Sequence, residues 1–452
     1  MVSITNKRIE YGLFLLLFSS FFISFSKNIY CFDMWWHLAT GKLILKNHII
    51  PKTDPFSYTK FGEPWIDHEW LAQVIFYSIY KKSGTLGLTI FKCLILTLAL
   101  YLVYLNIRKK CDPLVSLTFT FFSCVLLNCL GIPTRPLIFT LFFLSLTFYL
   151  LENGKYLPLF IIFPLWVNFH AGFILGTFIL TFYAMRRKEA KLLIPMALCF
   201  LNPYTYKIFL YPLQYAKSSV HTAHITEWQS PSFHKLSPFE AFLLASFFIF
   251  PFSSPSIFEL FLFVIFVHFS LFAVRNIMFF AIIAMPIIAW NFSKMLKKIV
   301  EKNDTKINYI VNIFIPSLFI GLIIFGSFAN FLFVKKIKFN EDEIFPSKAC
   351  KEVKKLEGNL FNLYAWGGYI IWKLYPEKKV FIDGRADLYQ DLVEEYKKVV
   401  EVTPEADKIL NKYNVTIVLI PTNSSLSVFL KEKEEWGLKY RDDLAEIYVR
   451  EN

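Results

Sequence analysis

The chain has 452 residues, 55% of them hydrophobic and 19% aromatic, with 52 phenylalanines and only 18% charged, a composition that excludes a soluble globular domain. The net charge of +13 is not a nucleic-acid footprint: from Lys335 onward 20 basic residues face 21 acidic ones, so the excess lies in the apolar part. Lysine and arginine in short loops between apolar runs set the orientation of membrane helices, and no nucleic-acid partner is expected.

The first apolar run, from about Tyr11 to Phe25, is followed by no small-residue cleavage site and reads as a retained helix. Lys7 and Arg8 precede it and place the amino terminus inside. With a first span near 9–28, further runs lie near 85–105, 113–130, 136–151, 156–168, 171–185, 191–203, 238–252, 256–273, 276–292 and 308–333, so eleven spans are expected. Lys155, the RRKEAK run at 186–191 and the KMLKKIVEK run at 294–302 then all fall on the inner side. An odd number of spans leaves the carboxyl-terminal part outside.

Residues 31 to 71, between the first two runs, form a polar loop in an oily chain. The loop holds Asp33, His37, Asp54, Asp67, His68 and Glu69 among Trp35, Trp36, Trp65 and Trp70, with Pro51, Pro55 and Pro64 to interrupt any continuous helix. Carboxylates and imidazoles beside a bilayer are costly unless they bind or react with something. The tryptophans suit an interfacial belt. Residues 70–84 carry Leu71, Val74, Ile75 and Ile79 on one face and read as a helix lying in the interface.

In this topology His37, His48, His68, His170, His221, His224 and His234 fall in outer loops or at outer helix ends, as do Arg135, Glu227 and Arg275. Such a one-sided collection of groups able to exchange protons or hold phosphate points to an outward-facing site. The residues 1–334 form the expected multi-span domain, with its first outer loop at 31–84. Residues 335–452 form an expected extracytoplasmic α/β domain, with strands near 359–364, 378–383, 415–420, 437–441 and 444–449 and helices between them. WGGY at 366–369 and DGR at 383–385 complete no phosphate-binding pattern; the glycines read as a strand-to-helix turn, and Asp383, Arg385 and Asp387 as either a substrate contact or a local pair. Of seven cysteines, Cys31 and Cys350 would share the outer compartment, where one disulfide is open to them.

DMWWHLATGKLIL, IIPKTDPFSYT, PWIDHEWL, RP at 135–136, WVNFHAGF at 166–173, LNPY at 201–204, ITEWQSP at 225–231, RN at 275–276 and GGYIIW with KVFIDGRADLY resemble a large group of bacterial membrane proteins. These are similar to glycosyltransferases of the GT-C fold, and more loosely to dolichyl-phosphate-mannose protein mannosyltransferases and lipopolysaccharide-core transferases that use polyprenyl-phosphate sugars. The resemblance implies a bacterial cytoplasmic-membrane transferase with a GT-C-like fold, a polyprenyl-phosphate sugar as donor, and a glycan, lipid or protein as acceptor. It also implies that an acid just after the first helix serves as base or metal ligand, the place of Asp33. The commoner pattern has two adjacent acids there, whereas Met34 follows here, so Asp67 or Glu69 is expected to supply the second carboxylate.

Transfer from such a donor needs a base for the acceptor's proton and cations for the departing phosphate. Asp33, with Asp67 and Glu69, is the expected catalytic set; His37, His68, Arg135, His170, Glu227 and Arg275 are expected to bind substrate or phosphate. A divalent metal such as Mn²⁺ or Mg²⁺ is a further expectation, with Asp33, Glu69, His221 and His224 as candidate ligands. The competing readings are a lipid or glycan transporter, for which Asn168–Gly172 and Asn202–Pro203 would mark broken helices, and a non-catalytic envelope-assembly protein.

Overall fold

The structure, a computed structural model, describes residues 7–26, 31–211, 226–301, 310–334 and 341–451. It divides into two compact units: Met1–Ile29, Thr85–Phe209 and Thr222–Ile337 form one, and Tyr30–Gly84, Leu210–His221 and Lys338–Asn452 the other. The first outer loop therefore packs with the carboxyl-terminal domain, whereas the sequence reading attached it to the spanning region.

The first unit is helical. Helices occupy every one of the eleven apolar runs, among them Lys7–Ser24, Pro113–Cys129, Leu137–Glu152, Leu159–Phe169, Phe173–Arg187, Pro238–Ser253, Ile257–Phe272, Ile277–Val300 and Ile315–Val334. Their boundaries follow local chemistry. Pro113 and Pro238 stand in first turns, where the missing N–H costs nothing. Ser256 and Glu259 form a reciprocal capping box. Hydroxyls inside the helices return to their own backbone, as Thr118 does to Leu114 O, Thr120 to Ser116 O and Ser145 to Leu141 O, so they need no water. Outward positions such as Leu157, Ile257 and Phe325 are exposed apolar surface, costly in water and matched to hydrocarbon.

Eleven crossings do not follow from eleven helices. Among the described residues three helices are long and apolar enough to cross a membrane: Trp70–Arg108, Val274–Val300 and Ile315–Leu332. Six apolar helices are shorter, such as Leu159–Phe169 with 11 residues. At 1.5 Å per residue that one rises about 16 Å, half of a ~30 Å hydrocarbon core. Breaks at His170–Gly172 and around Asn202 cut these runs short. The helix Trp70–Arg108 is itself broken at Gly84, whose φ of 58° lies in the left-handed region.

Two buried carboxylates tie helix ends on the expected inner side. Lys110 Nζ lies 3.2 Å from Glu152 and 3.8 Å from Glu259, Lys294 lies 2.8 Å from Glu259, and the Tyr183 hydroxyl donates to Glu152. Part of the basic excess thus neutralises buried acids.

The second unit is built on a four-stranded sheet of β1 (Asn359–Asn362), β2 (Val415–Pro421), β3 (Trp436–Arg441) and β4 (Ala445–Arg450), in the order β1-β2-β4-β3. β1 and β2 are parallel and the other pairs antiparallel. Phe361, Leu410, Val418, Ile420, Leu426 and Tyr448 fill its core. The expected strand at 378–383 is absent from this sheet. The Asn362 side chain takes its place in the ladder, accepting from Phe381 N at 2.9 Å and donating to Ile382 O at 2.9 Å. The backbone of Val380 pairs instead with the first loop, through Phe56 O and Tyr58 N.

Within that loop Met34–Asn47 is a helix that the sequence reading did not separate. The helix packs on Tyr364–Leu374, which carries both glycines of WGGY. A Cβ on Gly367 would stand 2.2 Å from Ile382 O, and one on Gly368 2.7 Å from Phe32 O. These glycines sit inside a helix and serve close packing, rather than a turn or a phosphate loop. Cys31 and Cys350 are not joined by a disulfide, and burial pushes the Cys350 thiol up to about 12.

The buried Arg385 clamps the loop to the domain. Its Nε and Nη2 donate to the two oxygens of Asp383 at 2.8 and 2.7 Å, its Nη1 lies 2.7 Å from Asp54, and Tyr389 donates to Asp383 at 2.6 Å. Arg385→Met is expected to lower stability by about 3–5 kcal/mol, because two carboxylates stay buried without their cation. Adding Asp54→Asn and Asp383→Asn should recover much of the loss. Thermal unfolding of the full chain in detergent measures both, and an unchanged midpoint in the single variant would remove the clamp.

Candidate functional site

Asp33 stands at the start of the helix Met34–Asn47, with the Trp36 indole N–H 3.4 Å from its Oδ1. Gly384, in the DGR turn, lies so close that a Cβ there would come 2.0 Å from the same oxygen. One turn along, His37 is buried, and its Nδ1 lies 3.7 Å from Glu69 Oε2. The other Glu69 oxygen lies 3.5 Å from His68 Nε2, so one carboxylate is shared between two imidazoles. Asp67 Oδ1 accepts from Gln73 Nε2 at 2.7 Å, and the same amide nitrogen lies 3.5 Å from His37 Nδ1.

Burial pushes the Asp67 carboxyl up to about 7, a shift that His68 and Gln73 oppose. Burial alone would lower His68, but the Glu69 carboxylate, then Asp387 and Asp67, outweigh it and the imidazole is raised. Asp387 is raised by burial against the opposing charge of His68. Groups this close titrate as a coupled set rather than one by one.

A cleft of about 230 Å³ adjoins this cluster in the same unit, lined by Lys60, Glu63, Pro64, Ile66, Tyr211, Asp387, Leu388 and Gln390. The Tyr211 ring packs 4.3 Å from that of His68.

The other expected binding residues belong to the helical unit. Arg135, in the turn before Leu137–Glu152, and Arg275, in the turn before Ile277–Val300, both direct Nη1 at Glu227 Oε1, at 3.4 and 3.2 Å. Arg275 also lies over the Trp228 ring at 4.5 Å. His170 Nδ1 accepts from the backbone N–H of Gly172 at 3.0 Å, which places the hydrogen of a neutral ring on Nε2. Thr140 lies 2.8 Å from that same Nδ1. Asn168 donates to Pro164 O and Leu201 O, so the break at 168–172 is braced by its own hydrogen bonds.

Asp33, His37, Asp67, His68 and Glu69 thus gather in one unit, and Arg135, Glu227 and Arg275 in the other. His170 accepts from the Gly172 N–H and lies beside Thr140 at the break of its own run. His221 and His224 lie outside the described residues. Among the described residues no three His, Cys, Asp or Glu side chains are grouped to hold a metal, so Asp33 and Glu69 find no third ligand there.

Gln73 and Tyr211, beside the cluster, and the buried Lys92 were not singled out in the sequence, whereas Asp387 was, as a substrate contact or a local pair. Gln73 lies one helical turn after Glu69, a spacing that signals a shared face. Lys92 is fully buried in an apolar run with its ammonium 3.4 Å from Ile132 O, and an intramembrane lysine is itself a signal. Tyr211 carries no local pattern.

No family profile matches the chain, and no curated protein matches it in sequence. Solved structures do. The archaeal oligosaccharyltransferase AglB from Archaeoglobus fulgidus, in complex with an inhibitory peptide and a dolichol-phosphate, aligns with a TM-score of 0.58 at 12% identity, over 99% of this chain and 75% of that one. An oligosaccharyltransferase of the same organism, tethered with an acceptor peptide containing the NVT sequon, gives 0.59 at 12% over 98% and 74%. Its complex with Zn and sulfate gives 0.52 at 12% over 96% and 73%. The chain has a GT-C-like fold. That likeness covers both units of the structure, the helical one and the one that carries the sheet.

The raised Asp67 pKa has a stability consequence. Between pH 4 and 7 the folded carboxyl holds a proton that the unfolded one has released, so stability falls as pH rises through that window. Asp67→Asn, which still accepts from Gln73, removes the penalty. Thermal unfolding should show the variant ahead by at most about 4 kcal/mol at pH 8, with the gap closing toward pH 4. A gap independent of pH would refute a protonated Asp67.

Proposed function

We propose that the protein is a membrane glycosyltransferase that moves a sugar from a polyprenyl-phosphate carrier to an extracytoplasmic acceptor, with inversion at the anomeric carbon. The observation that carries this reading is the acid–imidazole cluster of His37, Glu69 and His68, with Asp33 one helical turn before His37, set on a fold like that of AglB. AglB is an oligosaccharyltransferase held with a dolichol-phosphate, and a lipid-linked donor is proposed here by analogy.

The step needs little covalent chemistry from the protein. Asp33 accepts the proton of the acceptor hydroxyl or amide as that atom attacks the anomeric carbon. The bond from that carbon to the phosphate oxygen breaks, and the lipid phosphate leaves with the electron pair. Arg275 and Arg135 neutralise the phosphate, since a guanidinium forks onto such oxygens. Glu69 orients His37 and His68, and Asp67 holds or returns a proton. A divalent ion, Mn²⁺ or Mg²⁺, suits carboxylate ligands and would supply further charge to the phosphate. Its remaining ligands would have to come from outside the described residues.

The placement proposed is the bacterial cytoplasmic membrane, with the amino terminus inside, the 335–452 domain outside and eleven crossings. Bilayer lipids surround the helices, and the acceptor is a glycan, lipid or protein.

Two outcomes test the reading. Asp33→Asn should lower sugar transfer at least about 100-fold, as expected for a lost general base. Glu69→Gln should lower it less, with both proteins inserted normally. Full transfer by both variants would sink the assignment. Native mass spectrometry of the purified protein should show retained polyprenyl phosphate, lost in Arg275→Ala. Its absence from wild type as well would move the function away from a lipid-linked donor.

A further inference from the structure

The cleft beside the cluster has a definite chemical character. One wall is Tyr211, which supplies a ring to an apolar sugar face, and the polar groups are the Gln390 amide and the carboxyls of Glu63 and Asp387. Lys60 is its lining cation, and that charge is taken by Asp391, 2.7 Å away and itself mostly exposed. At about 230 Å³ the cleft is smaller than the ~300 Å³ at which pockets for drug-sized ligands begin, which scales it to one ring. Tyr211 touches His68, and Asp387 adds to the electrostatic field on it, so a ligand here adjoins the acid–imidazole cluster.

We propose that this cleft is a sugar subsite, taking a single pyranose ring that bears no net negative charge. The inference rests on the transferase reading for the origin of that ring, but not for its chemistry. Gln390 and Asp387 bind its hydroxyls, Tyr211 covers a face, and the exposed Glu63 carboxyl repels acidic sugars. The Lys60–Asp391 pair tunes the preference: Asp391 lowers the charge that the lining ammonium offers a carboxylate ligand.

The experiment is saturation-transfer NMR on the full chain in detergent, using a methyl hexoside, a methyl amino-hexoside and a methyl hexuronoside as probes. The first two are expected to bind, and the hexuronoside about 10-fold more weakly or not at all, a factor worth about 1.4 kcal/mol. Gln390→Ala, an exposed position that leaves the fold intact, should weaken the neutral glycoside. Asp391→Asn, which frees the Lys60 charge, should narrow the gap to the hexuronoside. Preloading with a polyprenyl-phosphate hexose separates two origins: displacement of the glycoside identifies the donor's ring, retention the acceptor's, and either supports the subsite. Equal binding of the hexuronoside, no glycoside binding by wild type, or wild-type behaviour in both variants would overturn it. Retained polyprenyl phosphate without glycoside binding would sink the subsite alone; glycoside binding without lipid phosphate would sink the donor reading and leave the subsite standing.

Discussion

The second unit depends on one buried cation. Arg385 has no exposed side-chain surface, and its guanidinium is shared between Asp383, of the DGR turn, and Asp54 of the first loop. Trp65 and Phe56 pack against its face. Removing such a charge strands its partners, so breaking the clamp costs more than the intact clamp contributes to net stability. It fixes the loop that carries Asp33, Asp67, His68 and Glu69 against the turn that carries Asp387. Without that fixed relation the acids and imidazoles would be surface groups on a flexible segment.

The clamp also sorts the carboxylates by role. Asp54 and Asp383 are committed to Arg385 and accept further from Ser57, the Phe56 backbone and Tyr389. Asp67 and Asp387, a few residues from them in sequence, have no guanidinium of that kind and are raised by burial. The same residue type is therefore an ion-pair partner in one case and, in the other, a carboxyl whose affinity for a proton is raised by burial. Glu69, set between two imidazoles, lies between those extremes.

Much of this was legible in the sequence, and what was not has physical causes. The polar loop declared itself because acids and histidines are out of place beside apolar runs, and Asp33, His37, His68 and Glu69 do share one unit. The DGRADLY stretch left open whether its charges bind a ligand or each other; the structure pairs Asp383 with Arg385 and sends Asp387 to the cleft. The segment 378–383 has the composition of a strand, yet the Asn362 amide occupies the hydrogen bonds a neighbouring strand would have made. Side-chain mimicry of a ladder leaves no periodic mark. The apolar runs were found as helices, but run length overstates crossing length where residues such as His170 and Gly172 end a helix early.

The distribution of guanidiniums completes the electrostatic logic. A base loses strength when a cation is fixed beside it, and a phosphate site loses affinity when its cations are already neutralised by buried acids. Arg385 is consumed by two carboxylates and is unable to serve a substrate phosphate. Arg135 and Arg275 converge on the single, half-exposed oxygen pair of Glu227, an anion that solvent or a competing phosphate can replace at little cost. The arginine suited to structure is therefore the buried, doubly paired one. The phosphate role proposed for Arg135 and Arg275 rests on their partial exposure, which separates them from Arg385 where residue type does not.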